Sequence, residues 1–395
     1  FQTMGYGKVP QSSPDKPNYC FRIALVLCLM GTLLVAVTLG LCAYAFRMYE
    51  ALDMGRSIHN HRPGECRQVQ GPVKGSEDIE FIRSQEIAFI TSGVLYLQPH
   101  RNKYFEGKMF IYDFKNQSTD QPVATQLPIK GDLFDKENFH PHGLTHWMVD
   151  YAIRLYVINH NKDMEHSVEV FEYDHSGADL LHRESIKHPT LVRPNDLVAV
   201  GPDQFIFTND GVFQSEIGTL FEALTGWNGG TVYYWDGKES HLLLSGMGGP
   251  NGIAYDGKRN KLFVVEMKKK VIHVYELPED KKSVVHLSTI DVHSACDNIY
   301  LDEGGILYAA CHPLLYEVTK SVGDCDGPTT SPSQVLRLQF DEEYKTAAIS
   351  ELYANYGKEI SASSVAVFYN NQMLIGSICK GLLHCEIRDS SVFNF

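Results

Sequence analysis

The chain of 395 residues carries 35 Lys and Arg against 48 Asp and Glu, a net charge of −13, with 44% hydrophobic and 21% charged residues. That apolar content excludes a disordered or low-complexity protein. The acidic balance argues against nucleic acid as a partner, and there is no phosphate-cradling GxxxxGK[ST] loop and no zinc-type CxxC pair.

Residues 1–22 read as a short cytoplasmic tail that opens on Phe1, with Met4 a candidate initiator. From Ile23 to Phe46, 24 residues run without a charge; as a helix they reach roughly 36 Å, enough to cross a membrane. A secretory signal peptide has a shorter apolar region and a small-residue cleavage site. This stretch instead ends in Ala43-Tyr44-Ala45-Phe46-Arg47 and reads as an uncleaved signal anchor. Lys8, Lys16 and Arg22 precede it and Arg47 and Arg56 follow. This bias predicts a single-pass type II protein with its body in the endoplasmic reticulum lumen or outside the cell. The sequon Asn116-Gln117-Ser118 fits that side of the membrane, with Asn116 as the glycosylated residue. Residues 47–65 read as a stem, 66–386 as the folded body and 387–395 as a tail. Cys20, Cys28 and Cys42 accompany the span. Cys66 and Cys385 stand at the two ends of the body, where an oxidising compartment lets a disulfide staple them.

Within the body only Phe213 to Trp227 has helical periodicity, predicting a short amphipathic surface helix. The rest is short apolar runs rich in Val, Ile, Tyr and Phe, separated by Gly, Asp and Asn. One unit recurs: a polar pair, an apolar strand, a turn and a second apolar strand. It starts at Glu77-Asp78-Ile79, His142-Gly143-Leu144, Asn195-Asp196-Leu197, Asn251-Gly252-Ile253, Asp297-Asn298-Ile299 and Ser363-Ser364-Val365. The six starts are 65, 53, 56, 46 and 66 residues apart. Such repeats predict an all-β, six-bladed propeller, since one blade cannot bury both of its faces alone. A β-sandwich is the alternative, but it gives no reason for six matched units. A Cys66–Cys385 bridge would then tie the first blade to the last.

The polar pairs open the innermost strands, which run side by side along a propeller axis. Glu77, Asp78, His142, Asn195, Asp196, Asn251, Asp297 and Asn298 are therefore predicted to converge at one mouth of the channel. Carboxylates and Asn amide oxygens, with no thiolate, suit a hard cation such as calcium. Without a cation the carboxylates would repel one another.

At these residues the chain resembles the paraoxonase family, calcium-dependent lactonases and arylesterases built as six-bladed propellers. The likeness runs from Cys66 to Cys385, through Gly75-Ser76-Glu77-Asp78, Pro141-His142-Gly143, Val157-Ile158-Asn159-His160, Asn195-Asp196-Leu197, Thr208-Asn209-Asp210 and Cys311-His312-Pro313. The resemblance implies two calcium ions. Glu77, Asn195, Asn251, Asp297 and Asn298 would hold a catalytic ion at the mouth. Asp78, Asp196 and the Leu144 carbonyl would hold a deeper structural ion. It also implies a closing Cys66–Cys385 disulfide, an unpaired Cys311 and a hydrolytic pair, His142 and His160. His312 reads as structural, and His140 and His146 as surface or loop. Gly249-Pro250 and Gly211 stand where relatives carry bulkier groups.

The chemistry that follows is a carbonyl polarised by calcium and attacked by a water that His142 deprotonates, with His160 passing the proton onward. Glu77 or Asp297 is the competing base. The substrate would be a small lactone or ester. The second functional reading is a non-enzymatic luminal chaperone, or an accessory protein for a membrane partner such as an ion channel, keeping calcium for folding alone.

Overall fold

The structure, a computed structural model, describes residues 7, 17–94, 106–115 and 121–388. The Asn116 sequon and the segment 389–395 lie outside the described residues. The chain divides into two units, one up to Gly55 and one from Arg56. The first contains α1 (Pro17–Ala51), which extends beyond the predicted 23–46 at both ends. With a mean hydropathy of 2.5, it is long and apolar enough to cross a membrane, as either a signal or an anchor. Its Thr32 and Thr38 hydroxyls donate to the carbonyls of Leu29 at 2.9 Å and Leu34 at 2.8 Å. A helix in lipid must satisfy such groups internally.

The second unit is a six-bladed β-propeller in which every repeated sequence unit supplies the two innermost strands of one blade. The innermost strands are Ile79–Ile82, Pro141–Val149, Pro194–Gly201, Pro250–Asp256, Ala295–Leu301 and Ser363–Tyr369, in blades 1 to 6. Blade 2 gains a short fifth strand, Ile129–Lys130, paired in parallel with its outer edge.

The expected Cys66–Cys385 disulfide joins the two ends of the propeller, but within one blade rather than across two. Cys66–Gln68 pairs antiparallel with Leu383–Glu386, so the chain's entry strand completes its exit blade. Cys66 lies opposite Cys385 and is bonded to it, so the disulfide staples blade 6 internally and does not bridge blades 1 and 6. The bond spans 319 residues of sequence, and fixing so long a loop removes much unfolded-state entropy.

The core is divided into six apolar layers, one between each pair of neighbouring blades. Alternation along a strand serves both of its neighbours. Phe205 and Phe207 pack toward blade 2 while Ile206, between them, packs toward blade 4. This explains why the strands read as unbroken apolar runs rather than alternating ones.

Two helices sit in loops. The predicted amphipathic stretch forms α2 (Glu216–Thr225), N-capped by Ser215 and ended by Gly226 at φ 69°. The predicted surface helix forms, but its apolar side is not the side that is buried. Ile217, Leu220, Phe221 and Leu224 face outward, whereas Glu222 is buried against the Arg193 guanidinium at 2.5 Å. A buried cation needs a partner, and that need sets which face of α2 turns inward. A third helix, α3 (Leu315–Val322), was hidden in the sequence among short apolar runs.

Candidate functional site

In an unbroken strand adjacent side chains point to opposite faces, so a polar pair could not send both members to the axis. The register shows how they reach it. Pairing of the two innermost strands shifts between Pro141 and Leu144, Pro194 and Leu197, Pro250 and Ile253, Cys296 and Ile299, and Ser363 and Ala366. Each irregularity falls on the polar pair and re-aims it. In blade 1 the pair precedes the strand, with the Glu77 N–H donating to the Thr91 carbonyl at 3.1 Å and the Asp78 N–H to the Thr91 hydroxyl at 3.0 Å.

Two tiers result. The first is Glu77, His142, Asn195, Asn251, Asp297 and Ser363; the second is Asp78, Gly143, Asp196, Gly252, Asn298 and Ser364. The two glycines are required by close approach. A Cβ at Gly143 would meet the Asn195 carbonyl at 2.6 Å, and one at Gly252 the Asp297 carbonyl at 2.5 Å.

In the second tier, two Asp residues clamp neighbouring blades. Asp78 accepts the Ile79 N–H at 2.8 Å and, across the blade boundary, the Leu144 N–H at 2.8 Å. Asp196 repeats the arrangement with the N–H groups of Leu197 at 2.7 Å and Ile253 at 2.8 Å. Leu144 thus meets Asp78 through its amide N–H. Burial holds both acids well above the usual carboxylate range; Glu77 pushes Asp78 further, and Asp78 pushes Asp196.

The first tier is left differently. The Asn298 amide donates to Glu77 Oε1 at 2.9 Å, and His142 Nε2 lies 3.3 Å from the same oxygen. Asp297 Oδ2 lies 3.2 Å from His312 Nε2. Yet Glu77 Oε2, Asn195 Oδ1, Asn251 Oδ1 and Asn298 Oδ1 are buried with no hydrogen-bond donor. Each such group ordinarily costs about 1–3 kcal/mol, so three from the first tier and one from Asn298 just below ask for an electrophilic occupant. No three His, Cys, Asp or Glu side chains among the described residues form a metal-holding group. The donors here are mainly amide oxygens, which suit calcium.

Beside Glu77 runs a chain of buried imidazoles. His142 Nδ1 is 2.8 Å from His160 Nε2, and His160 Nδ1 is 2.8 Å from His166 Nδ1. Burial drives His160 well below its ordinary value, and His142 and His166 add to the effect, so it stays neutral. Burial would lower His142 as well, but the Glu77 carboxylate outweighs it and holds this imidazole above its usual value. Burial raises Glu77 in turn, against the opposing pull of His142.

A family model described as arylesterase matches residues 57–387. Human serum paraoxonase/lactonase 3 is 32% identical over 369 residues, covering 92% of this chain and 99% of its own. The chain belongs to the arylesterase family. Mechanosensory abnormality protein 6 of Caenorhabditis elegans is 29% identical, over 88% of this chain and 93% of that protein. Among solved structures, the Malassezia sympodialis allergen Mala s 1 shares the fold, with a TM-score of 0.52 at 12% identity over 86% of this chain and 98% of that one.

Against this arylesterase background, several residues depart from their sequence reading. Cys311 is not unpaired: it lies directly opposite Cys296 in blade 5 and is bonded to it. Cys325 and Cys379 form a third bridge. His140 is fully buried rather than in a surface loop, with Nδ1 3.0 Å from the His160 carbonyl. His146 is half-buried and contacts Glu80. His166 had no motif to mark it; its signal is strand register, which places it opposite His160. Among the described residues, blade 6 adds only the Ser363 and Ser364 hydroxyls to the two tiers, and Ser364 donates to the Glu77 carbonyl at 2.6 Å.

Proposed function

We propose that the chain is a calcium-dependent hydrolase of lactones and aryl esters. In this reading α1 is a type II signal anchor preceded by a cytoplasmic tail, and the propeller faces the lumen or the outside. The carrying observation is the set of four buried, unopposed oxygens beside the Glu77–His142 contact. Membership of the arylesterase family, with relatives named as paraoxonases, lactonases and arylesterases, supports the substrate class.

Glu77, Asn195, Asn251, Asp297 and Asn298 would hold one calcium at the mouth. Asp78, Asp196 and the Leu144 carbonyl would hold a second, deeper one. When bound, calcium supplies a Lewis acid for the substrate carbonyl and the negative charge that develops there. The remaining work falls to the chain's own groups. His142 Nε2 takes the proton of the attacking water, and His142 Nδ1 faces His160 Nε2 at 2.8 Å for its onward passage. His160 is suited to that passage because burial keeps it neutral. The carboxylates are the weaker candidates for base, because Glu77 already accepts from Asn298 and faces His142, and Asp297 faces His312. The buried imidazole chain beside Glu77 offers a proton path that hydrolysis uses and a chaperone or channel-accessory role does not require, which makes hydrolysis the better reading.

The full-length chain in detergent micelles should hydrolyse a lactone, lose activity with a chelator and regain it with calcium. Calcium binding without turnover would overturn the enzymatic reading and leave the accessory one.

A further inference from the structure

The first and second tiers open in opposite directions. A cavity of about 620 Å³ occupies the channel below the second tier, and Asp78, Asp196 and Leu144 line it. Glu77, Asn195, Asn251 and Asp297 do not. From the other side, the second tier is roofed by Glu77, which the Asn298 amide and His142 both engage, with Glu77 and Asn298 each 1% exposed. Val198 and Ile253 give the cavity apolar walls, Glu80 lies two residues beyond Asp78 on the innermost strand of blade 1, and Gly257 and Glu303 follow the ends of the innermost strands of blades 4 and 5.

We propose that the deep cation enters and leaves through the channel mouth opposite the first tier, past a gate formed by the Glu80–His146 contact. The inference rests on the two-calcium reading above. Glu80 of blade 1 and His146 of blade 2 meet across the blade boundary one step beyond Asp78, both about a quarter exposed. At the outer end Arg83 pairs with Glu303 at 3.3 Å, and these side chains are 41% and 64% exposed. A cation moving inward therefore meets carboxylates in series, Glu303, Glu80 and then the Asp78–Asp196 pair, within walls that focus their field. The cavity has room for a partly hydrated ion, each water claiming about 30 Å³. The mouth ion would exchange on the substrate side, so the two sites load by separate routes.

Gly257 is the place to plug the path. A Cβ there meets only the Tyr255 ring, at 3.4 Å, so a side chain is accommodated. The test uses full-length chain in detergent, loaded with terbium and read by luminescence sensitised through Trp147, which lines the cavity. Chelator-induced release from the native chain should show two phases. Gly257→Trp should slow the slower phase about tenfold while leaving the faster phase and lactone hydrolysis unchanged. Glu80→Gln, nearly isosteric, should reduce the loading rate of the slow site by about tenfold at low salt and less at high salt. Two bound ions with both phases unchanged in both variants would overturn the route. One ion or none in the native chain would instead remove the two-calcium reading on which it rests.

Discussion

The two tiers come from neighbouring residues on the same strands, yet they are satisfied in opposite ways. In the second tier Asp78 and Asp196 each accept two backbone N–H groups, one from their own strand and one from the next blade. In the first tier Glu77 Oε2, Asn195 Oδ1 and Asn251 Oδ1 meet no donor, and Asn298 Oδ1 just below shares that state. The second tier's acids are thus part of the framework that sets the spacing of blades 1 to 4. The first tier presents oxygen donors that no group of the fold opposes, whereas the second-tier acids would serve the framework and the deeper ion together.

The largest effect that sharpens this contrast is on catalysis. His142→Gln should lower lactone turnover by about 10²–10⁴-fold, measured at saturating substrate and calcium, and leave the thermal unfolding midpoint nearly unchanged. An equal loss of folding would move His142 from chemistry to framework. Next comes stability in the presence of chelator. Asp78→Ala strips the Ile79 and Leu144 N–H groups of their acceptor and should cost about 2 kcal/mol or more in a denaturant titration. Glu77→Gln should cost less than about 1 kcal/mol under the same conditions, because burial and Asp297 already disfavour its charge. Equal losses would erase the distinction between the tiers.

The effect confined to the narrowest range of conditions is a pH dependence outside both tiers. Glu266 is held at about 2, against the pull of burial, by His273, the Gly248 N–H and Lys269. A carboxylate depressed in the folded state stabilises it above its unfolded value of 4.5. That contribution fades as pH falls from there toward 2. Glu266→Gln should therefore flatten acid unfolding over this window, by on the order of 2 kcal/mol, and leave the profile above pH 6 parallel to the native one.

The propeller was legible because six polar pairs recur in phase, five of them in the first residues of an innermost strand and the blade 1 pair just before one. The tiers were legible only in membership. The bulges that turn both residues of a pair toward the axis leave no mark in composition, and without them the pairs would alternate. The entry strand Cys66–Gln68 is too short for periodicity to place it in a blade, so the Cys66–Cys385 pairing is legible but the blade that holds both cysteines is not. The Cys296–Cys311 bridge and the His160–His166 contact depend on cross-strand register, which a single sequence does not display. Glu222 on α2 faces inward because of Arg193, 29 residues earlier, a contact that local amphipathicity cannot anticipate.

Equilibrium dialysis of the purified full-length chain against calcium, with metal content read by atomic emission, asks whether far-separated blades hand their spare oxygens to an ion. Two calcium ions per chain are expected, with one lost when Asn195 and Asn251 are both replaced by Leu. A native chain that retains no calcium, or a double variant that retains as much as the native chain, would contradict the account.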